Sequence, residues 1–320
     1  MKKFSKILLI LLALVIVLTL LFLYKYGPNF NIYLFPPSVE QYVDDALTKM
    51  NNGINTHSRE WNETKSEVCD VTKNMKSYEE THDILNKASK VAGGKHSFLI
   101  MPEEVKEISH SFDFPQVKTE DDILYIKLTP IMLANQEESQ KYVDIVTNSL
   151  RNDSFKGVII DLSNNTGGDM YPMITSVSAL IPDGKILVYK NAAGATSDIV
   201  LKDGKLNNSF NSIVGLDKKI NDLPVAIIIN EMTGSSGEMV ALSFRGLDNI
   251  KFFGKESAGY TSVNTQMNLY DGAILQLTTG SIVDRTGKEY LNEPIKPDIY
   301  SDNPMADATD WINGIISIQR

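Results

Sequence analysis

The sequence is almost free of cysteine and lacks the short motifs on which metal and nucleotide sites are built. Its 320 residues include one cysteine, Cys69, which excludes an intramolecular disulfide and a thiolate metal cluster. It contains no His-Glu-x-x-His segment, no Gly-x-Gly-x-x-Gly spacing and no phosphate loop that ends in lysine. The sequence therefore predicts a protein that needs neither a metal nor a cofactor.

Basic residues are outnumbered by acidic ones. Lys and Arg total 31 against 40 Asp and Glu, which gives a formal net charge of −9 at pH 7. This balance argues against a nucleic-acid partner and is compatible with a cationic substrate. Hydrophobic residues make up 42% of the chain, which is enough for a sizeable core.

One long apolar run lies near the N-terminus. Residues 7–23 are apolar except for one threonine, and Lys2, Lys3 and Lys6 precede them. The run reaches the lower length limit for crossing a bilayer, and no small-x-small cleavage site follows it, which disfavours the alternative of a cleaved signal peptide. We therefore predict a cytoplasmic stub and an uncleaved transmembrane signal anchor over 1–27. The lysines stay inside, so the protein is a single-pass membrane protein whose remaining chain is extracellular.

The remaining chain changes character near residue 94. Residues 28–94 are predicted to form a helical bundle, and residues 95–320 alternate strands with helices, which indicates an α/β fold with a mixed sheet and flanking helices. Between the strands at 186–190 and 224–230, a polar segment over 192–218 is predicted to be mobile. The other predicted elements are helices at 38–50, 57–75, 78–92, 137–151 and 170–181 and strands at 98–101, 123–128, 157–162, 250–254 and 273–279.

The most informative stretch is 224–246, in which an apolar strand, a glycine turn with two serines and a helix follow one another. This order presents a hydroxyl at a helix N-terminus, where backbone N–H groups and the helix dipole favour a developing negative charge. A serine nucleophile needs such a place. The alternative is that Ser235 or Ser236 only caps the helix and that Glu238 completes a capping box.

A second glycine turn, over 161–168, also follows a buried strand. If the two strands are neighbours, both turns face one pocket, because sites in open α/β sheets form beyond the carboxyl ends of strands. Backbone N–H groups of Gly167, Gly168 and Gly237 would then form an oxyanion hole. The alternative is a phosphate-binding loop. Three apolar residues just past the first turn would either line a substrate groove or face the core: Met170, Met173 and Ile174.

Four histidines could supply a base, and His96 has the most suitable position. It follows a glycine pair that ends a helix and precedes a strand. His57 and His82 lie in polar helices, and His110 lies in a polar, loop-like stretch. From position alone, His96 is a candidate rather than an assignment.

Four segments together resemble the C-terminal processing, or tail-specific, serine peptidases. They are Asp161–Gly168 for the Asp-Leu-Arg-x-Asn-x-Gly-Gly turn, Thr233–Glu238 for the nucleophile turn, Gly254–Gly259, and Ile295–Asp298. They occur in the family order and cover about residues 120–300. The resemblance implies Ser236 as the nucleophile, because the family pattern puts it two residues before the glutamate.

The chain departs from the main branch of that family at the base. The lysine expected after the third segment is replaced by Tyr260, and no lysine lies between Lys255 and Lys288. A branch of the family uses a histidine from a Gly-x-x-His-Ser stretch, and Gly93–Ser97 matches it, which implies His96 as the base. The PDZ insertion typical of the family is also missing here.

The branch that the chain most resembles is that of the nisin resistance proteins. The resemblance implies a Ser–His serine peptidase that removes the C-terminal tail of a cationic lantibiotic, a lanthionine-bridged antimicrobial peptide. Two alternatives are a general extracytoplasmic C-terminal processing protease and a non-catalytic protein that sequesters the peptide. The sequence leaves the residue that orients the histidine open among Ser97, Asp161, Glu289 and Glu293.

Overall fold

The computed structural model describes residues 2–108, 112–151, 154–209, 212–220 and 222–318, so His110 lies outside the described residues. The chain forms two compact units. The first consists of Met1–Val105 and Asn264–Thr278, and the second of Lys106–Val263 and Thr279–Arg320. These limits differ from the predicted boundary at residue 94, because a later segment joins the N-terminal residues. The predicted division into anchor, bundle and protease remains a prediction about roles.

The secondary structure alternates helices and strands after an all-helical start. The helices are α1 (Lys2–Tyr26), α2 (Val39–Met50), α3 (Arg59–Thr72), α4 (His82–Gly93), α5 (Pro102–Ile108), α6 (Gln136–Leu150), α7 (Met170–Ser176), α8 (Ser236–Phe244) and α9 (Pro304–Ile318). The strands are β1 (Phe98–Ile100), β2 (Gln116–Glu120), β3 (Ile123–Lys127), β4 (Gly157–Asp161), β5 (Gly184–Asn191), β6 (Thr196–Lys202), β7 (Lys205–Leu206), β8 (Val225–Ile229), β9 (Ile250–Gly254), β10 (Ser262–Asn268), β11 (Ile274–Val283), β12 (Glu289–Tyr290) and β13 (Ile299–Tyr300).

Helix α1 is long and apolar enough to cross a membrane. The 18 residues Leu9–Tyr26 meet the length and composition of a membrane span, and none of them is buried within the protein. Burial of such a surface needs either lipid or another protein, because water solvates it poorly. A signal sequence meets the same criteria.

The rest of the first unit is a three-helix layer that packs on a hairpin. Ser38 begins α2 with the predicted capping box, in which its hydroxyl accepts the Gln41 N–H and the Gln41 side chain accepts the Ser38 N–H. The apolar faces of α2, α3 and α4 share one core with β1 and with the parts of β10 and β11 that belong to this unit. Trp61 and Leu85 are among its fully buried side chains.

The second unit is built on a six-stranded sheet in the order β13-β9-β8-β4-β3-β2. The pairs from β3 to β13 are parallel, and only β2 runs antiparallel to its neighbour, so the predicted mixed α/β sheet is confirmed. Alternate residues of each central strand face opposite layers. Ile159 packs with the C-terminal helix α9, and Ile160 packs in the larger core with α6, α7 and α8.

A smaller antiparallel group completes the second unit. Strands β5, β6 and β7 pair in order, and the second half of β11 pairs with β5 and with β12. The segment over 192–218 contains β6 and β7, and its mobility stays a prediction. Strand β2 and helix α9 were also not predicted, and the predicted helix over 170–181 ends at Ser176.

Candidate active site

The two glycine turns meet in the second unit. Strand β4 pairs in parallel with β8, and Asp161 lies opposite Ile228 near the carboxyl end of both strands. The turns that follow are joined by backbone and side-chain hydrogen bonds. The Gly234 N–H donates to Asn165 O (2.9 Å), and the Thr233 hydroxyl donates to Leu162 O (2.9 Å). The predicted neighbourhood of the two turns is therefore confirmed.

Glycine allows this close approach. A Cβ atom on Gly167, which has a φ of 109°, would lie 2.7 Å from Ser235 Cβ and 3.0 Å from Ser236 N. A Cβ atom on Gly237 would lie 2.7 Å from Asn165 O. Contacts this short force neighbouring backbone to move, so a side chain at either position would separate the turns.

Ser235 holds a strained conformation at the head of α8. Its φ of 51° and ψ of −121° belong to the first central position of a type II′ turn, which glycine normally occupies. The Gly237 N–H closes this turn by donating to Gly234 O (2.9 Å). Strained residues of this kind cluster at functional sites, where surrounding contacts enforce them.

Ser236 is the first residue of α8, and only 8% of its surface is exposed. Its hydroxyl donates a 2.6 Å hydrogen bond to the carbonyl oxygen of Gly168 on the other turn. The side chain therefore does not cap its own helix. Ser235 is the residue that precedes the helix, and its N–H donates to Glu238 Oε2 (2.9 Å).

Glu238 is a fully buried carboxylate with four donors. Besides the Ser235 N–H, it accepts the N–H groups of Gly259 and Tyr260 (2.8 Å each) and the Ser257 hydroxyl. Burial raises the pKa of the Glu238 carboxyl, and the four hydrogen bonds oppose that rise. The carboxylate thus ties the serine turn to the segment after β9.

The predicted oxyanion donors differ in their hydrogen bonds. The Gly237 N–H is used within the turn, as described above. The Gly167 N–H donates to Asn165 Oδ1 (3.0 Å). The Gly168 N–H has no acceptor among the residues that the structure describes, and Gly168 has a φ of 116°. Of the three, Gly168 is therefore the donor available to a ligand.

The predicted groove residues lie in the core. Met173 and Ile174 have no exposed surface, and Met170 is 6% exposed. Met170 also accepts a hydrogen bond at its sulfur from the Tyr189 hydroxyl (3.0 Å). All three residues therefore face the core, which was the alternative to a substrate groove, because α7 packs against α6 and α8. Met132 and Leu133, beside the backbone bridge between Ile131 and Gly168, have the exposed apolar side chains instead.

His96 lies in the first unit, between α4 and β1. Gly94 ends α4 with a φ of 85°, and a Cβ atom on Gly93 would lie 2.1 Å from Ser97 Oγ, so both glycines are needed there. The imidazole is 4% exposed, and burial, with a smaller contribution from the positive charge of Lys95, lowers its pKa to about 4. His96 is therefore neutral at pH 7.

Within the first unit, the side chain of Asn264 contacts the imidazole, and Asn264 lies at the start of the hairpin segment of that unit. Its amide nitrogen lies 2.9 Å from Nδ1 and 3.3 Å from Nε2 of His96. The four candidates that the sequence offered have other partners: Ser97 Oγ accepts the Thr278 N–H, Asp161 pairs with Lys127, Glu289 pairs with Lys190 and Glu293 pairs with Lys288.

Comparison with known proteins identifies the family. The sequence profile of Peptidase family S41 matches residues 122–301. The chain belongs to peptidase family S41. The segments that resemble the tail-specific peptidases all fall inside this range, as do Ser236, the Gly167–Gly168 turn and Glu238. His96 lies before it.

Individual relatives extend the likeness to the whole chain. The nisin-resistance protein of Lactococcus lactis subsp. lactis is 40% identical over 317 residues, which are 98% of this chain and 99% of that protein. The solved structure of a lipoprotein from Streptococcus agalactiae is similar over 88% of this chain and 99% of that one, with a TM-score of 0.80 and 34% sequence identity. The photosystem II D1 C-terminal processing protease shares the fold, with a TM-score of 0.56 at 11% identity over 83% of this chain and 94% of that one.

We expect Glu238 to be the main structural support of the serine turn. Replacing it with alanine leaves four donors, two of them fully buried, without an acceptor and should lower the free energy of unfolding by about 3–5 kcal/mol. Glu238→Gln keeps one carbonyl oxygen and should cost about 1–3 kcal/mol. Urea unfolding followed by Trp311 fluorescence, in a Trp61→Phe background, measures the second unit alone, since the chain has two tryptophans.

The matched control is Glu231→Ala, which removes an exposed carboxylate from the same turn and should change the free energy by less than about 0.5 kcal/mol. Equal unfolding of Glu238→Ala and Glu231→Ala would contradict the structural role.

Proposed function

We propose that this protein is a membrane-anchored extracellular serine endopeptidase that cleaves the C-terminal tail of nisin or a similar lanthionine peptide. Ser236 is the nucleophile and His96 the general base. The observation that carries the proposal is the Ser236 turn, a strained serine turn at a helix N-terminus against a glycine turn. It occurs in a chain that is 40% identical, over 98% of its length, to a nisin-resistance protein.

The chemistry begins at the Ser236 hydroxyl. Its oxygen attacks the carbonyl carbon of the scissile peptide bond, while its proton passes to a nitrogen of the His96 imidazole. In the structure the hydroxyl donates to Gly168 O, so the transfer requires it to release that hydrogen bond. The tetrahedral intermediate then collapses, the C–N bond breaks and His96 returns the proton to the leaving amine. Water repeats the sequence on the acyl-enzyme.

The negative charge of the tetrahedral intermediate needs donors close to Ser236. The Gly168 N–H supports this role, because the described residues leave it without an acceptor. The dipole of α8 adds a positive potential at Ser236. Gly237 can contribute only if its N–H releases Gly234 O, which would open the type II′ turn. Removal of one such donor costs about 10²–10³ in turnover in enzymes of this kind.

The proposed substrate class is supported by the similarity to the nisin-resistance protein and by the charge of the chain. A net charge of −9 attracts a cationic peptide and raises its rate of encounter. An anchor at α1 would keep the enzyme at the membrane surface, where such peptides act. The exposed Met132 and Leu133 beside Gly168 offer apolar contact for a bound peptide.

The first test is mass spectrometry of nisin incubated with the detergent-solubilised full-length protein. We expect loss of one C-terminal fragment. Ser236→Ala and His96→Ala should each reduce the rate by at least about 10³-fold, because each removes a group that the bond-breaking step needs. The variant Ser235→Ala distinguishes the roles of the two serines of the turn, since only Ser236 is assigned the attack.

The matched control for the histidine is His57→Ala, which removes an exposed imidazole and should leave the rate unchanged. Cleavage of linear peptides but not of nisin would instead favour a general C-terminal processing protease. Nisin bound equally by the wild type and Ser236→Ala, with no cleavage by either, would favour sequestration and refute catalysis.

The pH dependence should show a base with a low pKa. We expect the rate constant for phosphonylation of Ser236 by a neutral fluorophosphonate to stay level between about pH 6 and 8 and to fall only as the pH drops through about 4, where His96 becomes protonated. A neutral reagent is used because it has no ionisation of its own. A fall centred near the ordinary histidine value of about 6.5 would show that another group, or an exposed imidazole, controls the rate.

The single cysteine provides a test of topology. Cys69 is exposed in the first unit, so a membrane-impermeant maleimide should label it in intact cells if the catalytic part is outside. Cys69→Ser should abolish labelling. In that background Ser5→Cys places the thiol before the apolar run and should react only after the cells are lysed. Labelling of Ser5→Cys in intact cells, with Cys69 protected, would reverse the proposed orientation.

A further inference from the structure

The hydrogen bonds around His96 include a network within the first unit. The Asn264 amide contacts the imidazole, and its Oδ1 accepts a 2.8 Å hydrogen bond from the Thr278 hydroxyl. The Thr278 N–H donates to Ser97 Oγ (2.9 Å), and Ser97 is the next residue after His96. The ring of His96 is thus bonded to Asn264 and the next residue, Ser97, to Thr278, and these two hairpin residues are bonded to each other.

The hairpin that carries Asn264 is fixed at both ends. At its tip, Asp271 accepts a hydrogen bond from the Tyr42 hydroxyl (3.1 Å) and pairs with His82 Nε2 (2.6 Å). At its base, Thr278 is fully buried, and its carbonyl oxygen accepts the Ile54 N–H (3.0 Å). Asn264 therefore contacts the imidazole from a frame that permits little movement.

We propose that Asn264 is the positioning residue for His96, which orients the imidazole and fixes its tautomer, and that Thr278 holds the amide in place. This inference rests on the proposed function of His96 as the base. A neutral imidazole has one donor and one acceptor nitrogen, and an amide has one donor group and one acceptor. A hydrogen-bond acceptor opposite Nδ1 places the ring proton on Nδ1 and leaves Nε2 as the basic nitrogen. A donor opposite Nδ1 places the proton on Nε2 and leaves Nδ1 basic. The Thr278 hydroxyl donates to the amide oxygen, which keeps the amide nitrogen facing the ring.

An amide and a carboxylate have different effects in this place. A carboxylate favours the imidazolium and raises the pKa of a histidine, whereas a neutral amide orients the ring without that effect. Lys95 is a charged group that acts on His96, and its positive charge disfavours the imidazolium. Asn264→Asp should therefore raise the pKa of His96, so that the rate of Ser236 phosphonylation falls at a higher pH than in the wild type.

The first experiment measures the tautomer and does not depend on activity. We expect ¹⁵N spectra of the histidine-labelled full-length protein in detergent to show one neutral tautomer for His96, assigned with His96→Gln. Asn264→Ala should give a mixture of both tautomers, and Asn264→Asp should place the proton on Nδ1. The control is Asn268→Ala, which removes an exposed amide from the same strand and should leave the spectrum unchanged. An unchanged tautomer in Asn264→Ala would overturn the proposal.

The second experiment uses cleavage kinetics. Asn264→Ala should lower kcat about 10–100-fold with little change in KM, since it disturbs the base and not peptide binding. Thr278→Val should give a smaller loss, and Thr278→Ser should restore activity because it keeps the hydroxyl. If Ser236→Ala and His96→Ala abolish cleavage but Asn264→Ala and Asn264→Asp keep the wild-type rate and pH profile, positioning by Asn264 is refuted and the proposed function stands. If the wild type cleaves nothing, the proposed function fails and the spectra alone decide the role of Asn264.

Discussion

The buried carboxylate of Glu238 is the interaction on which the serine turn depends. An isolated charge in the core would be costly, and the four donors that surround this one offset that cost. Two of them, the N–H groups of Gly259 and Tyr260, come from a segment that follows a different strand. The Ser257 hydroxyl, which donates to the carboxylate, in turn accepts the Ile295 N–H (2.7 Å). Two segments that are distant in sequence, 257–260 and the one that contains Ile295, therefore support the first turn of α8, while the glycine turn contacts the Ser236 hydroxyl.

The contact between the serine turn and the glycine turn depends on how closely their two backbones approach. Asn165 crosses between the turns, because its carbonyl oxygen accepts the Gly234 N–H and its side chain accepts the Gly167 N–H and donates to Leu128 O (3.0 Å). Glycine at 167 and 237 removes the Cβ atoms that would otherwise separate them. The strain at Ser235 has the same origin, since a type II′ turn is the geometry that brings the next residue, Ser236, against the opposite turn. Because this arrangement is rigid, the hydroxyl of the little-exposed Ser236 has a defined direction.

Local pattern predicted the parts of this protein whose structure is decided locally. The apolar runs of β4 and β8, the glycine turns after them and the capping box of α2 were all readable, because strand burial, positive φ and helix capping depend on adjacent residues. Whether the Met173 side chain faces the core could not be predicted, since the sequence of a helix that begins directly after a turn does not show which of its faces meets the core. Asn264 could not be found either. It lies in a polar strand far along the chain from His96, and only tertiary packing brings the two together.

The partner of the histidine determines what kind of base His96 would be in the proposed mechanism. Burial and the charge of Lys95 both disfavour the imidazolium, and an amide does nothing to offset them, so the resting enzyme holds a neutral imidazole across the physiological range. A cationic peptide adds further positive potential. In the proposed mechanism, proton transfer from Ser236 becomes favourable only when the negative charge of the tetrahedral intermediate forms, because the pair of charges is stabilised in a low dielectric while either charge alone is not. Under that proposal, a neutral orienting residue would confine the charged state of His96 to the step in which the bond breaks.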